Sequence, residues 1–397
     1  MNRLYSIFLI SALSLAALSS CSQDNVIEDA EEQGTVIPSE GYIYFDSKLP
    51  QTRALVPSGP LKHSFNVLGY RYPSSWTAVK PQAKQTLRVS YTDNNGTEIL
   101  ASDKTKDNLV GVFGIEHTEG KDYTDEEPGV QTVSYSGGLH SYTPMQGWKK
   151  KLFYSFFAWY PTSLVANGGN SNHEGSPYIT YTLPDDQASM ADVLTACEID
   201  YSMSKGKSVT LQMNHRLSAL DIRANSVITA QALLDNQYTE FAGVQTTSPV
   251  TVNITGITLT LNDIYTQATI PLEHTAANGN IVTGSVPADQ TYTYSNFSEG
   301  KGDVAYNVTS SVVRDSEMLI LIPQSQPIQA SISVAYSLSC EDKTKTGFSA
   351  SKNFEISDLE SGVFHYLELS FTKSGLFVKA EKAVTWEVQP DVEHTFE

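Results

Sequence analysis

Alternating apolar and polar residues recur along this chain in short runs, and they predict an all-β fold. The runs are rich in Val, Ile, Thr, Tyr and Phe and lie between clusters of Gly, Asn, Pro and Ser, as expected for strands joined by turns. Short strands at this spacing are typical of β-sandwiches. The clearest predicted strands are 65–72, 87–91, 130–135, 152–160, 178–183, 209–222, 250–261, 318–322, 331–340 and 365–371.

Three local signals refine this picture. Asn95-Gly96 follows the strand 87–91 and predicts a hairpin turn, because both residue types tolerate the positive φ angles that such a turn requires. The apolar phase changes from even to odd positions at Gly256, which predicts a β-bulge. Loosely periodic apolar residues over 229–241 predict a helix.

The N-terminus has the pattern of an export signal. A short basic start is followed by an apolar run over 4–18. As a helix this run would reach only about 22 Å, whereas a bilayer core is roughly 30 Å thick. We therefore expect residues 1–20 to be a signal peptide. The run ends in Leu-Ser-Ser-Cys21, which resembles the lipobox of bacterial lipoproteins and implies that Cys21 carries palmitate-type acyl chains. An ordinary signal peptide with an incidental cysteine is the alternative.

Acidic residues dominate the segment after Cys21 and the chain as a whole. Residues 22–40 contain six Asp or Glu side chains and no Lys or Arg, which favours a solvated tether. The formal net charge of −18 argues against nucleic acid or an anionic membrane surface as a partner. Acidic residues behind a lipidated cysteine also resemble a surface-export signal, so we expect surface display, with a periplasmic location as the alternative.

The length of the chain predicts two domains, because folded domains have about 100–200 residues each. We place the boundary in the polar stretch 204–207. The predicted organisation is a signal peptide (1–20), a lipidated leader (21–53), an N-terminal β-sandwich domain (54–205) and a C-terminal β-sandwich domain (206–397). Cys197 and Cys340 lie on the apolar phase of predicted strands, Cys197 in phase with Ile199 and Tyr201. We expect two buried thiols in different domains, with a disulfide as the alternative.

Residues with the spacing of a catalytic or metal site are missing from the sequence. The eight His residues form no zinc-binding pair of familiar spacing, and neither a nucleophile elbow nor a phosphate-binding loop occurs. We therefore expect no enzymatic activity, no cofactor and no metal. His215 lies in phase with the apolar residues of its run, which predicts a core histidine with its own partner. Both faces of 153–160 are apolar, which favours core packing over a stacking platform for sugars. The Gly- and Asn-rich stretch 167–175 is interpreted as a surface loop.

The C-terminal stretch 376–388 alternates over thirteen residues with one break, at Lys382. Its extended length is roughly 43 Å at about 3.3 Å per residue, long for a strand of one small sandwich. We predict a strand that could cross between two bodies and that stays ordered only against a preformed groove, with the last strand of its own domain as the alternative. The residues expected to enter the groove are Leu376, Val378, Ala380, Val384, Trp386 and Val388.

A candidate cleavage site lies near the other end of the chain. The stretch 41–47 predicts a first strand, and Arg53-Ala54 follows in a short polar link that a trypsin-like protease could reach. Cleavage between Arg53 and Ala54 would remove the lipid anchor together with this strand. The remaining body would have an open sheet edge and an apolar slot, as strand addition in trans requires. An incidental arginine is the alternative.

Several short motifs resemble those of the fimbrillin (Mfa-like) family of Bacteroidales, the subunits of type V pili. They are Cys21 in its lipobox, Thr52-Arg53-Ala54, the sequence Asn-His-Arg-Leu-Ser-Ala-Leu at 214–220, Leu-Ile-Pro-Gln at 321–324, Gly362 before Phe364-His365-Tyr366, and the closing Val384-Thr385-Trp386. The resemblance implies two tandem transthyretin-like β-sandwich domains, lipoprotein export, Arg-specific cleavage and polymerisation by donor-strand exchange. Carried onto this chain, it implies cleavage at Arg53, removal of 41–47 and donation of 376–388.

The resulting hypothesis is a stem or adaptor subunit of a surface fimbrium at the cell outer membrane, with a role in cell adhesion. Its partners would be other pilin subunits and, through the lipid on Cys21, the outer membrane. Receptors on host or bacterial surfaces are left open. The alternative is a monomeric surface lipoprotein that binds glycans through exposed Tyr or Trp side chains.

Overall fold

The structure is a computed structural model, and it describes residues 41–48, 61–80, 91–92, 98–99, 110–113, 130–166, 176–274, 282–283, 287–294, 306–308, 313–314, 318–373 and 375–382. Strands dominate these ranges, which confirms the predicted all-β fold. The longer of the two described α-helices has six residues, and no helix in the described ranges is long and apolar enough to span a bilayer.

The first half of the strands, in chain order, comprises β1 Tyr44–Lys48, β2 Phe65–Tyr72, β3 Tyr91–Thr92, β4 Glu98–Ile99, β5 Val110–Gly111, β6 Val130–Ser136, β7 Leu139–Ser141, β8 Phe153–Tyr160, β9 Tyr178–Thr182, β10 Leu194–Tyr201, β11 Ser208–Gln212 and β12 Asn214–His215. The second half comprises β13 Ser218–Ser226, β14 Val250–Tyr265, β15 Gln267–Pro271, β16 Val282–Thr283, β17 Pro287–Tyr294, β18 Tyr306–Val308, β19 Val313–Arg314, β20 Leu319–Leu321, β21 Ile328–Cys340, β22 Lys343–Ile356, β23 Phe364–Thr372 and β24 Gly375–Lys382. The helices are α1 Trp76–Val79 and α2 Ala230–Asp235.

These strands form six sheets. Sheet I has the order β12-β10-β8-β2-β6-β7, and β5 also pairs with β2. Sheet II is the parallel pair β1-β11. Sheet III has the order β19-β13-β23-β24 with β20 on β13, and sheet IV has the order β17-β14-β21-β22 with β18 on β14. Sheet V is β16-β15-β9, and sheet VI is the hairpin β3-β4.

The central strands β2 and β8 of sheet I are buried on both of their faces. One face packs against sheet II in a smaller hydrophobic cluster that contains Tyr154, Phe156 and Ala158 of β8. The other face contributes Phe157 and Trp159 to a larger cluster. All five side chains are fully buried, so the prediction of core packing is confirmed for 154–159, whereas Phe153 at the start of the run is 37% exposed.

Sheets III and IV share the larger cluster and form a β-sandwich. Their inward side chains alternate along each strand, for example Leu367 and Leu369 on β23 and Ile332 and Val334 on β21. The Tyr336 ring of β21 meets a ring of β23 across the gap with the centroids 5.0 Å apart. Sheet V packs on the same cluster through side chains of β9 and β15. This packing leaves β22 and β24 at neighbouring edges of the sandwich.

Most of the predicted strands have a counterpart, but the run 209–222 is not one strand. It is divided into β11, β12 and β13. Val209, Leu211 and Met213 pack in the smaller cluster, whereas Leu217 packs in the larger one. Here the chain passes from the smaller cluster to the larger one, and a single straight strand cannot place its side chains in both clusters. The prediction of a continuous strand is therefore wrong.

The predicted common phase of Cys197, Ile199 and Tyr201 is also wrong. Cys197 and Ile199 pack on the larger cluster, and Tyr201 lies in the smaller one. The register of β10 against β8 shifts between Glu198 and Tyr201, and Asp200 has a positive φ of 52°. Such a bulge adds a residue on one strand and so moves the following side chains to the other face.

Three local predictions are confirmed. The register of β14 against β21 shifts between Ile254 and Gly256, where the bulge was expected. Helix α2 lies within 229–241, and the Thr229 side chain caps it by accepting a hydrogen bond of 3.2 Å from the Ala232 amide. Strands β3 and β4 form the predicted hairpin, although Asn95-Gly96 itself, like 87–90, lies outside the described residues.

Strand pairing connects the two predicted domains. Strand β9 from the first pairs with β15 from the second, and β1 pairs with β11. The division at 205 and 206 stays a prediction, and the tandem organisation is a proposal taken up below. The loop 167–175 lies outside the described residues.

Candidate assembly interface

Strand β1 carries alternate side chains into the smaller cluster. Ile43 just before it, Phe45 and Ser47 are buried, while Lys48 at its end is exposed. The Phe45 ring lies among three aromatic rings, with centroid distances of 6.0 Å to Phe113, 5.6 Å to Tyr142 and 5.2 Å to Phe156. We call the groove lined by these three rings and by strand β11 the β1 slot.

The backbone of the β1 region is held from two sides. Strand β11 pairs with it in parallel from Tyr44↔Ser208 to Lys48↔Gln212. On the other side, the Ile43 amide donates to the Gln146 carbonyl at 2.8 Å, and the Trp148 amide donates to the Gly41 carbonyl at 3.0 Å. The segment therefore lies as a central strand would, although β1 itself has only five residues.

Polar groups fix the ends of the β1 slot. The Tyr142 hydroxyl donates to the Ile43 carbonyl at 2.8 Å, and burial raises the pKa of this phenol. The buried Ser47 hydroxyl accepts a hydrogen bond of 3.2 Å from the Leu61 amide and lies 3.5 Å from the His140 ring. Burial lowers the pKa of His140, so this imidazole adds no charge to the slot at neutral pH.

Strand β24 is an edge strand of sheet III. It pairs in antiparallel register with β23, from His365↔Lys382 to Thr372↔Gly375, and with no other described strand. Leu376 is buried, Val378 and Ala380 are half-buried against the larger cluster, and Phe377 is 51% exposed. The even positions thus face inward, in the predicted phase.

The structure describes only part of the predicted donor strand. Leu376, Val378 and Ala380 lie in the chain's own sheet. Val384, Trp386 and Val388 lie outside the described residues, and so do Cys21, Arg53 and Ala54. Three assignments stay predictions: the whole stretch 376–388 as a donor, Cys21 as the lipidation site and Arg53 as the cleavage residue.

Two features of this interface were not found from the sequence. Residues 146–148, which bond to the segment 41–43, have no strand pattern and were therefore missed. Gly69 on β2 was also missed: a Cβ atom there would lie 2.8 Å from the Phe113 ring. A glycine inside an apolar run is a signal of close approach, and it could have indicated this contact.

Cys197 and Cys340, the cysteines that lie within the described residues, are both free thiols. Cys340 is buried and Cys197 is half-buried, so the expectation of thiols is confirmed and full burial holds for Cys340. Burial raises the pKa of both thiols, and a high thiol pKa keeps a cysteine unreactive.

His215 has a partner, as predicted. Its Nδ1 atom lies 2.5 Å from a carboxylate oxygen of Asp192, and both side chains are about nine-tenths buried. In the described ranges no group of three or more His, Cys, Asp or Glu side chains is arranged to hold a metal ion.

Comparison with known proteins places the chain in a family. A family model described as fimbrillin-like matches residues 97–390. Among solved structures, a fimbrial protein from Bacteroides vulgatus is similar with a TM-score of 0.51 at 14% identity, over 81% of this chain and 93% of that one. A candidate cell adhesion protein from Bacteroides ovatus gives a TM-score of 0.47 at 13% identity, over 89% and 100%.

The fimbrial anchor protein Mfa2 from Porphyromonas gingivalis gives a TM-score of 0.30 at 10% identity, over 83% of this chain and 90% of that one. No curated protein matches the chain. At these identities the B. vulgatus structure shows a shared fold alone, and the family model carries the assignment. Because that model covers well over half of the chain, the protein belongs to the fimbrillin-like family of fimbrial subunits, as its short motifs predicted.

Proposed function

We propose that this protein is a stem or adaptor subunit of a cell-surface fimbrium and supports cell adhesion. In this proposal it is exported as a lipoprotein on Cys21, cleaved after Arg53, and joined to other subunits by donor-strand exchange. The two predicted β-sandwich domains act in tandem. Its partners are other pilin subunits and, before cleavage, the outer membrane. Membership of the fimbrillin-like family supports the fimbrial role.

The position of β1 is the observation that carries this proposal. The strand is joined to the body of the chain on its C-terminal side only through the stretch that contains Arg53. Its side chains nevertheless fill the β1 slot, and its backbone completes the edge of β11. Removing β1 would expose Phe113, Tyr142 and Phe156 together with an unpaired strand edge. Such an apolar, unpaired groove is the acceptor that an incoming strand requires.

The predicted donor strand has apolar side chains at the same spacing as the β1 side chains that fill the β1 slot. The β1 slot receives Ile43, Phe45 and Ser47 at every second position, with an aromatic ring in the centre. The stretch 384–388 repeats this spacing with a central aromatic residue, in Val384, Trp386 and Val388. We infer that Trp386 of one subunit takes the place of Phe45 in the next, and that β24 anchors the donor to its own body.

The experiment introduces charged residues on one face of the predicted donor strand at a time. The variant Val384→Asp, Trp386→Asp, Val388→Asp places charges on the groove-facing side, where burying an unpaired carboxylate is strongly unfavourable. We expect surface extracts of the wild type to give high-mass ladders on unboiled denaturing gels, and we expect this variant to give none. The control, Ala383→Asp with Thr385→Asp, changes only the other face and should keep the ladders. Ladders in both variants would contradict the donor assignment.

No observation favours the alternative of a glycan-binding monomer. The sequence already favoured core packing over a sugar platform for the aromatic run 153–160, and its Tyr154, Phe156, Phe157 and Trp159 rings are fully buried. A buried ring has no face on which a sugar could stack.

A further inference from the structure

The outer face of sheet IV is covered by short polar side chains. Along β14, β17, β21 and β22 every second side chain packs toward the larger cluster, and the side chains between them point outward. We call the outward positions of 251–260, 291–293, 331–339 and 344–353 the hydroxyl face. They hold Ser, Thr or Asn, except Gly256, Ala335 and the bulge residue Gly347.

Strand pairing arranges the hydroxyl face in rows that cross the sheet. In one row Thr258 of β14 lies opposite Thr293 of β17 on one side and Ser333 of β21 on the other. Ser333 in turn lies opposite Ser351 of β22, whose hydroxyl donates to the Ser333 hydroxyl at 3.1 Å. Ser333 and Ser351 are exposed. Because a hydroxyl has one donor hydrogen and two acceptor lone pairs, this pair can still bond to a partner above the sheet.

The hydroxyl face, which lies entirely within the described residues, carries no charged side chain. Charged residues make up 18% of the chain and commonly a larger share of a protein surface. The outer face of sheet III has the common pattern, with Arg223, Glu368 and Lys379 side by side across its strands. Glu355 and Asp289 lie just beyond the hydroxyl face, two residues past its last positions on β22 and β17. The face is thus a neutral area on an acidic protein.

The lysines of β22 lie on the opposite side of that strand. Lys345 forms an ion pair with Glu240 at 2.8 Å, and Lys352 lies 5.9 Å from the centroid of the Phe377 ring. Lys343 has the same phase and donates to a backbone carbonyl. Lysines at a free edge discourage pairing with another strand. Their placement protects the edge of β22 and leaves its outer face neutral.

These features favour a second copy of this chain as the partner of the hydroxyl face. Each copy has a formal net charge of −18, so the close approach of two copies generally brings like charges together. A neutral face avoids this repulsion, and hydroxyl groups are complementary to one another because each donates and accepts. A glycan is a poorer match, since the hydroxyl face has no aromatic ring on which a sugar could stack.

The size of the hydroxyl face fits a weak contact between copies. Its length is about 26 Å at roughly 3.3 Å per residue, and its four strands are about 19 Å wide. Two copies would therefore bury roughly 1,000 Å² in total, which is near the lower limit for a specific interface. Ordering the surface costs little, because short side chains lose little rotamer freedom.

We propose that the hydroxyl face packs against the same face of a second copy, related to the first by a two-fold axis. Between single subunits the contact is weak, with a dissociation constant on the order of 0.1 mM. In a fimbrium the face repeats along the fibre, so many weak contacts act together and join neighbouring fibres side by side. The joining of fibres rests on the proposed function, whereas the dimer itself does not.

The test is sedimentation equilibrium of the chain 22–397, made without a lipid in a host that has no Arg-specific protease, so that β1 stays in its slot. We expect a reversible dimer at a chain concentration of about 0.5 mM. Ser333→Glu and Ser333→Lys should each weaken the dimer at least tenfold, because each places two like charges in the contact. An equimolar mixture of these two variants should dimerise again.

Ser134→Glu is the matched control, because it changes an exposed strand serine on β6 of sheet I. It should dimerise like the wild type, and unchanged midpoints of denaturant unfolding should show that all three variants are folded. A wild-type chain that stays monomeric, a Ser333→Glu variant that dimerises normally, or a mixture that stays monomeric would each overturn the proposal. Loss of the dimer in Ser134→Glu would overturn it as well.

A last variant separates this contact from strand exchange. The triple change Val384→Asp, Trp386→Asp, Val388→Asp alters the predicted donor and leaves the hydroxyl face intact, so it should dimerise like the wild type. A dimer that this variant loses would be a product of strand exchange and would contradict the proposal. Because the dimer forms with β1 in its slot, failure of this contact and failure of the proposed function are distinguishable.

Discussion

At the scale of single residues, the β1 slot depends on a glycine. Gly69 lies on β2 beneath the Phe113 ring, and a Cβ atom there would also lie 3.1 Å from Val112 and 3.2 Å from Phe156. Phe113 in turn packs against Phe45 of β1. The absent side chain at Gly69 therefore sets how closely the aromatic rings approach the sheet, and so it sets the width of the slot.

The change Gly69→Ala should destabilise the protein by about 1–3 kcal/mol, because overpacking forces the Phe113 ring out of place. The measurement is the midpoint of denaturant unfolding. Combining it with Phe113→Leu should cost less than the two single changes added together, since the smaller side chain makes room for the methyl group. Simple additivity would show that the two residues do not interact.

At the scale of elements, the two neighbouring edge strands differ in how far their sequences predict them. Strand β24 alternates clearly and was predicted in the correct phase. Strand β22 is longer, yet it was missed, because its side chains before Ile356 are exposed or half-buried on both faces and are mostly Lys, Thr, Ser and Asn. Its pairing with β21, rather than an apolar pattern, makes it a strand. Lysines on such an edge also discourage pairing with other chains.

Neighbouring residues of β24 should respond very differently to a charge. Leu376→Asp should destabilise the protein by about 3 kcal/mol or more, since it removes a buried side chain and buries a carboxylate. Phe377→Asp should cost about 1 kcal/mol or less, because about half of that side chain is exposed and its contact with Lys352, 5.9 Å from the ring centroid, is a weak surface contact. Equal losses in denaturant unfolding would mean that β24 does not have this register.

At the scale of the whole molecule, Glu273 connects helix α1 to sheet V. Its carboxylate, just after β15, accepts hydrogen bonds from the Trp76 indole at 3.0 Å, from Lys80 at 3.1 Å and from Ser176. Burial by itself would raise the pKa of Glu273, but these three donors together hold it below its ordinary value of 4.5. The charged form of the Glu273 carboxylate is therefore the one that stabilises these three hydrogen bonds.

Glu273→Gln should lower the free energy of unfolding by about 1–2 kcal/mol at pH 7, because it removes charge-assisted hydrogen bonds. The difference from wild type should be constant above the unfolded-state pKa and shrink as the pH falls through the lower folded-state pKa. Denaturant unfolding between pH 3 and pH 7 measures this. The control Glu355→Gln, at an exposed carboxylate bonded to Gln329, should change stability by less than about 0.5 kcal/mol at every pH. A pH-independent loss in Glu273→Gln would contradict the account.

Local pattern was enough to predict several elements. The predicted strand 65–72 matches β2 at both ends, and the bulge at Gly256 and the helix near Thr229 lie where they were expected. Each depends on side-chain alternation, on a change of phase or on a capping residue, and all of these can be seen within a few neighbouring residues. The division of 209–222 could not be predicted this way, because its apolar phase continues while the chain passes from one core to the other.

The sequence by itself determined the all-β class, the family and the inward phase of β24, because alternation and short motifs involve residues that are close together in the sequence. Only the tertiary structure decided which strands meet. It placed β1 beside β11 across some 160 residues, put the stretch 146–148 on its other side, and closed the Phe113 ring over Gly69. The physical reason is that partners distant in the chain are selected by the shape and volume of a shared core, and no local pattern carries that information.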